Sequence, residues 1–241
     1  MRIRSQKQKS QVIVYDADRV QQPGPMLFEP RYWERRGGVV GQALGRGSAL
    51  LLETDSGPAV LREYLRGGWP ARISRDRYLF TGFDRSRPLL EFQMLVTLTE
   101  MGLPVPAPLA ALCRRSGLFC RGWLLMERIL RAQPLAELIA NQPQGSGLWR
   151  RTGQTIADFH RAGVAHADLN ARNVLVTDDG AIHLVDFDRA RFAREGSAAF
   201  RANLSRLQRS LEKLWPPPLR GQMAACWDEL LGGYHGPVAA S

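Results

Sequence analysis

Lysine is nearly missing from this chain of 241 residues: of its 33 basic residues only Lys7, Lys9 and Lys213 are not arginine. Any site between Lys9 and Lys213 that needs a fixed cation must take it from arginine or from a metal ion. Cysteine is scarce too. Cys113, Cys120 and Cys226 are too few for a disulfide framework, and none stands at the CxxC spacing of a zinc site. A reducing compartment suits them better. Long apolar runs are absent. The longest uncharged run, Met101 to Cys113, holds 13 residues and three prolines, short of the roughly 18 or more needed to span a bilayer. The N-terminal stretch has an apolar run of four residues, Val12 to Tyr15, against roughly 7 to 15 in a signal-peptide core, so no export signal is expected. Repeats and low-complexity segments are lacking as well. With 44% hydrophobic and 23% charged residues the chain has the make-up of a folded globular protein, long enough for one large domain or two lobes.

Acidic residues are also in short supply, 23 against 33 basic ones, for a net charge of +10. Two stretches carry that excess: residues 62–87 at +4 and residues 189–220 at +6. Such a balance reads either as solvated arginine-rich surface or as a face for an anionic partner, whether nucleic acid, phospholipid or phosphorylated glycolipid. Nothing interleaves aromatic and basic residues as a nucleic-acid surface would, so no nucleic-acid partner is expected.

Residues 1–36 read as a polar arm. Residues 37–64 read as a three-stranded antiparallel meander with turns at its glycines and at Thr54 to Pro58. From Pro88 to Met101, Leu89, Phe92, Leu95, Val96 and Leu98 recur at helical spacing, with proline near the first turn and Gly102 past the end. Strands are predicted at 109–113 and 122–129. Beyond Gln133 the pattern turns helical: 134–139, then 148–162, a hairpin at 174–185, a basic amphipathic helix at 200–214 ended by Pro216-Pro217-Pro218, and a last helix near 221–231. The fold class that follows is α+β, with a small lobe over 1–126 built on an antiparallel sheet and a mainly helical lobe over 127–241.

The chemistry concentrates in His166-Ala167-Asp168-Leu169-Asn170-Ala171-Arg172-Asn173-Val174-Leu175-Val176, followed by Val185-Asp186-Phe187-Asp188. Phosphoryl transfer needs a carboxylate to orient an attacking hydroxyl and accept its proton, and oxygen ligands to hold Mg²⁺ on nucleotide phosphates. Asp168, Asn173 and Asp186 are such a set: a short loop separates the first two, and a hairpin returns the chain to the third. Asp and Asn are also ordinary turn formers. The histidine two residues upstream, the apolar strand directly after and the hydrophobic-Asp-Phe that follows favour the chemical reading.

This pattern resembles the protein-kinase-like phosphotransferases, whose catalytic loop reads H-R-D-L-x-x-x-N and whose second metal motif is D-F-G. Here Ala167 stands for the loop arginine and Asp188 for the glycine, and no A-P-E follows, which points away from regulated protein kinases and toward the small-molecule and glycolipid branch. Together, LGRGSALL, AVLREYLRGG, LPVPAP, HADLNARNVLV and LVDFDRAR are similar to the bacterial 3-deoxy-D-manno-octulosonic acid (Kdo) kinase family of lipopolysaccharide core assembly. The resemblance implies a two-lobed protein-kinase-like fold that transfers the γ-phosphate of ATP to the 4-hydroxyl of Kdo on a lipid A precursor. It implies a peripheral protein on the anionic cytoplasmic face of the inner membrane. Asp168 is then the base, and Asn173 and Asp186 hold Mg²⁺. Arg62, in the position of the lysine in V-A-I-K, binds phosphate, with Glu91 as the ion-pair partner that holds it. Gly45 and Gly47 let backbone N–H groups approach the phosphates, and Glu127 lies in the connector that meets adenine. His166 and Asn170 brace the loop, and His160 is a packed core histidine.

Alternatives within the same chemistry are a heptose kinase or another small-molecule alcohol phosphotransferase; the basic 62–87 segment disfavours a cationic acceptor. A catalytically silent nucleotide-binding scaffold is the reading from another class, and Asp168, Asn173 and Asp186 together speak against it. Nothing in the sequence specifies an oligomeric state.

Overall fold

The computed structural model describes residues 1–43, 49–64, 78–141 and 147–236. Gly45, Arg46 and Gly47, and Arg66, Trp69, Arg72 and Arg75 of the basic segment, lie outside the described residues. The chain divides into two units, Met1–Glu100 with Pro106–Arg128, and Met101–Val105 with Ile129–Ser241. The first is built on an antiparallel sheet and the second is mainly helical, the α+β division of the protein-kinase-like fold.

In the first unit, β1 (Ile3–Gln8) and β2 (Gln11–Asp16) form a hairpin, followed by a short helix α1 (Pro30–Arg35). The meander is β3 (Val39–Ala43), β4 (Ala49–Thr54) and β5 (Gly57–Glu63); β6 (Tyr78–Leu79), α2 (Arg87–Glu100), β7 (Pro108–Ser116) and β8 (Phe119–Glu127) complete the unit. The sheet runs β1-β2-β7-β8-β5-β4-β3, with β6 beside β8. The arm expected to be merely polar is thus part of the sheet. All six residues of β1 are exposed, so it carries no alternation to read; the ladder to β2, from Ile3 opposite Asp16 to Gln8 opposite Gln11, holds it in place. It forms the sheet's outer edge, mostly polar, beside Val12, Ile13 and Tyr15 of β2, which are buried.

Helix α2 buries Leu89, Phe92, Leu95 and Leu98, each contributing roughly 1.5–3 kcal/mol on removal from water. Its first turn comes so near β8 that a Cβ on Gly122 would lie 2.5 Å from Cγ of Pro88. A larger residue there would push the helix away, and Glu91 with it.

The second unit opens with β9 (Ala132–Pro134), α3 (Leu135–Leu138) and α4 (Leu148–Arg161). Then come β10 (Val164–Ala165), β11 (Val174–Thr177), β12 (Ile182–Leu184), β13 (Arg191–Phe192), α5 (Ala198–Leu214) and α6 (Arg220–His235). Small sheets β12-β11-β9 and β10-β13 frame the catalytic loop. Residues 101–105 belong here, with the Leu184 N–H donating to the Pro104 carbonyl at 3.0 Å. Helix α5 starts at Ser197, whose Oγ accepts from the Ala199 N–H at 3.2 Å, and it buries Phe200, Asn203, Leu207 and Leu211 along one face. Helices α4 and α6 meet backbone to backbone: a Cβ on Gly153 would fall 1.9 Å from the Leu230 carbonyl oxygen, and one on Gly233 2.1 Å from that of Arg150.

Candidate active site

His166, Asp168, Asn173 and Asp186 are brought together by a few short bonds. The His166 ring sits between them, buried: its Nε2 lies 3.0 Å from the Val185 carbonyl oxygen and its Nδ1 3.1 Å from the Asp168 nitrogen. A carbonyl can only accept and an amide N–H can only donate, so the network assigns the neutral ring with its hydrogen on Nε2. Burial, the main cause, lowers the pKa of His166 and agrees with that form. One imidazole therefore fixes the residue that begins the candidate base and the residue before Asp186.

Side-chain amides tie the rest of the loop. Nδ2 of Asn170 and Nδ2 of Asn173 donate to the Asp168 carbonyl at 3.0 and 2.9 Å, and the Arg172 N–H donates to Oδ1 of Asn170 at 2.9 Å. Asn173 spends its nitrogen on the loop, which leaves Oδ1 as the atom it can offer. The Val185 N–H donates to the Asn173 carbonyl at 3.0 Å, which draws Asn173 and the Asp186 segment together. Phe187 anchors that segment, 1% exposed, 5.6 Å from the Phe159 ring and 4.8 Å from the His166 ring. Asp186 itself has φ 68, a left-handed conformation that few residues other than glycine and Asn/Asp adopt. The donor set suits a hard cation: an amide oxygen and a carboxylate supply part of an oxygen shell that phosphates and water complete. Among the described residues no group of three or more His, Cys, Asp or Glu side chains forms a self-sufficient metal cage.

Helix α5 contributes what the motif did not disclose. Asn203, Arg206 and Ser210 stand three and four residues apart, hence on one face, and each meets the loop. Asn203 accepts the His166 N–H at Oδ1, 2.9 Å, and donates from Nδ2 to the His166 carbonyl. Arg206 Nη1 lies 3.2 Å from Asp168 Oδ1. The Ala171 N–H donates to Ser210 Oγ at 3.1 Å. His160 completes the support, with Nε2 3.2 Å from Asn203 Oδ1, Nδ1 2.8 Å from the Tyr234 hydroxyl and its ring stacked on Phe200 at 4.4 Å. Burial pushes its pKa down to about 4, as expected of a packed core histidine.

In the first unit Arg62 and Glu91 form an ion pair, Glu91 being 2% exposed on α2. Tyr64 joins them: its hydroxyl donates to the same carboxylate oxygen, and Arg62 Nη2 donates to that hydroxyl at 2.9 Å with the guanidinium 4.8 Å from the ring centre. Burial holds the Tyr64 phenol well above its usual pKa, so it stays a donor. Glu91 is thus a buried acceptor with two partners, which the sequence disclosed for Arg62 alone. Tyr64 shares a strand face with Arg62 by the two-residue period, the one signal that could have found it. Glu127 ends β8. Its N–H donates to the Ala107 carbonyl at 2.8 Å, its side chain pairs with Arg19 at 3.1 Å, and the Arg128 N–H donates to the Pro58 carbonyl at 3.1 Å. Both N–H groups are occupied within the sheet.

Comparison with known proteins agrees with this chemistry. A family model described as "Lipopolysaccharide kinase (Kdo/WaaP) family" matches residues 30–234. The 3-deoxy-D-manno-octulosonic acid kinase of Stenotrophomonas maltophilia (strain R551-3) is 46% identical over 202 residues, covering 84% of this chain and 80% of that protein. The protein of that name from Xanthomonas axonopodis pv. citri (strain 306) matches at 46% with the same coverage. The one from Vibrio parahaemolyticus serotype O3:K6 (strain RIMD 2210633) is 38% identical over 211 residues, 88% of each chain. With Asp168, Asn173 and Asp186 gathered around one buried histidine and these matches spanning most of its length, the chain belongs to the lipopolysaccharide kinase (Kdo/WaaP) family and is an ATP-using phosphotransferase.

Proposed function

We propose that this kinase transfers the γ-phosphoryl group of ATP to the 4-hydroxyl of Kdo carried on a lipid A precursor. The observation that carries the reading is the pair of bonds from His166 to Asp168 and to Val185, which draws Asp168 and the residue before Asp186 to one ring and so supports a base and a metal ligand side by side. The names of the relatives supply the acceptor. Asp168 orients the attacking hydroxyl and accepts its proton as the oxygen–phosphorus bond forms and the bond to the bridging oxygen of ADP breaks. Arg62, held by Glu91 and Tyr64, carries the positive charge for the phosphates that lysine supplies elsewhere. Asn173 and Asp186 would hold Mg²⁺, which neutralises phosphate charge when bound. Gly45 and Gly47 keep their assignment to the phosphates, and the adenine contact of Glu127 would run through a group other than its N–H.

A lipid-linked acceptor requires access to an anionic membrane, and we place this enzyme peripherally on the cytoplasmic face of the inner membrane. No helix among the described residues is long and apolar enough to cross a bilayer. At the β7–β8 turn Leu118 is 71% exposed, and Leu79 and Phe119, opposite one another across β6 and β8, are exposed as well. Arg115 lies over the Phe80 ring at 4.8 Å beside them. Apolar side chains next to arginines suit the boundary between headgroups and acyl chains.

The test is phosphate transfer from labelled ATP to Kdo-lipid A precursor, free Kdo, heptosylated core and a generic peptide in parallel. Preferred labelling of the Kdo-lipid A precursor at the 4-hydroxyl is expected. Labelling of the heptosylated core on heptose, with Kdo untouched, would overturn the acceptor and leave a heptose kinase.

A further inference from the structure

Arg206 reaches the catalytic loop from a helix that the kinase motifs do not include. Its Nη1 is 3.2 Å from Oδ1 of Asp168, and the two side chains are 49% and 54% exposed. A guanidinium has five N–H donors in a planar fork. Only the contact to Asp168 engages it among the described residues, so most of the fork faces outward beside the atom that must meet the acceptor hydroxyl. The contact also divides the carboxylate: Oδ1 is held by Arg206 and Oδ2 is left for the hydroxyl. A second anionic group on the acceptor, a few bonds from that hydroxyl, would meet the rest of the fork.

An exposed pair of this kind is worth little to stability, about 0–1 kcal/mol, so folding alone does not account for an arginine at this position. Its neighbours on the same face, Asn203 and Ser210, already fix the loop backbone through uncharged contacts. The phosphates of the donor have Arg62. Arg206 stands instead next to the group that handles the acceptor, and a Kdo acceptor carries a carboxylate near its reacting hydroxyl.

We infer that Arg206 reads the carboxylate of the acceptor, holding it in place while the hydroxyl beside it lies on Asp168. The inference rests on the Kdo kinase reading and deepens it. Arg206 becomes the residue that makes the enzyme specific for a sugar acid over a neutral sugar, and the loop itself has no cation at position 167 for that task because alanine stands there.

The test compares the Kdo-lipid A precursor with the same molecule whose Kdo carboxylate has been converted to a carboxamide, in wild-type enzyme, Arg206→Gln and Arg206→Lys. Wild type should favour the acid in kcat/KM by about tenfold to a hundredfold, the weight of a charge-assisted hydrogen bond, chiefly through KM for the acceptor. In Arg206→Gln that preference should shrink to about twofold or less with KM for ATP unchanged, and Arg206→Lys should keep part of it. Thermal melts check that both variants fold. An Arg206→Gln enzyme that keeps the full preference for the acid would overturn the assignment. A wild-type enzyme that labels neither acceptor would instead overturn the Kdo kinase reading itself and the inference with it.

Discussion

Asn203 meets His166 as one strand residue meets another, its side-chain amide accepting the backbone N–H and donating to the backbone carbonyl. A helix side chain thereby takes the place of a neighbouring strand at the start of the catalytic loop. Its Oδ1 serves His160 too, so a single buried amide satisfies groups from the loop, from α4 and from itself.

Asn203→Ala would strand the His166 N–H and carbonyl together with one nitrogen of His160, each in a buried place. Leaving a buried polar group unpaired costs about 1–3 kcal/mol. We expect a loss of about 3 kcal/mol in unfolding free energy by denaturant titration, with kcat lowered and KM for ATP nearly unchanged, because Arg62, which we propose binds the phosphates, belongs to the other unit. A variant as stable as wild type would mean that water replaces the amide.

Asp168→Ala should abolish turnover while ATP binding, followed by calorimetry, survives. Asp186→Ala should instead abolish Mg·ATP binding or raise the Mg²⁺ concentration required. Equal loss of nucleotide affinity in both variants would assign Asp168 to the phosphates and not to the hydroxyl.

For the triad in the first unit, Arg62→Ala should lower kcat/KM by orders of magnitude and Arg62→Lys should retain part, the charge being kept without the fork. Glu91→Ala breaks a largely buried pair and should destabilise that unit by about 3 kcal/mol, which Tyr64→Phe, losing one hydroxyl, should not match. Near-normal activity of Arg62→Ala would hand the phosphate role to another arginine.

The pH dependence of stability has a definite sign. His160 titrates near 4 in the fold, below the ordinary 6.5 of histidine, so between these values the unfolded chain binds the extra proton. Its contribution is therefore complete above about pH 6.5 and is lost as pH falls toward 4, a change on the order of 2–3 kcal/mol. His166, shifted the same way by burial, adds to it. Melting temperatures measured from pH 7.5 to 4.5 should fall, and His160→Gln should flatten the slope; an unchanged slope would place the titrating group elsewhere.

At the membrane, Leu118→Glu with Phe119→Glu, or charge reversal of Arg66, Arg72 and Arg75, should raise KM for the lipid acceptor several-fold and weaken salt-sensitive binding to anionic liposomes. KM for ATP should stay the same. Wild-type liposome binding in both sets would remove these surfaces from the membrane contact and leave the kinase assignment standing.

Much of this was legible because the elements involved are local. The meander, α2, the β11–β12 hairpin and α5 each announce themselves through period and turn residues, and the loop from His166 to Asn173 packs its chemistry into eight consecutive positions. What stayed hidden is what arises between distant elements. The N-terminal hairpin has no apolar alternation in β1. Arg206 and Asn203 look like two more polar residues of a basic amphipathic helix until α5 is laid against the loop, 38 and 37 positions away. The charge excess of residues 189–220, read as a face for an anionic partner, spends at least one arginine on the carboxylate of Asp168.

The glycine contact between α4 and α6 makes the end of the fold a foundation of its chemistry. Because Gly233 rests on the Arg150 carbonyl, the next residue, Tyr234, is delivered to His160, which bonds Asn203, which holds His166 next to Asp168. A relay of contacts thus joins the last turn of α6 to the loop that carries Asp168. A chain shortened to Gly232 would keep every residue of the recognisable motifs and yet lose the wedge that braces them. Any bulk introduced at Gly153 or Gly233 would meet the backbone of the facing helix, so no smaller side chain opposite could relieve it.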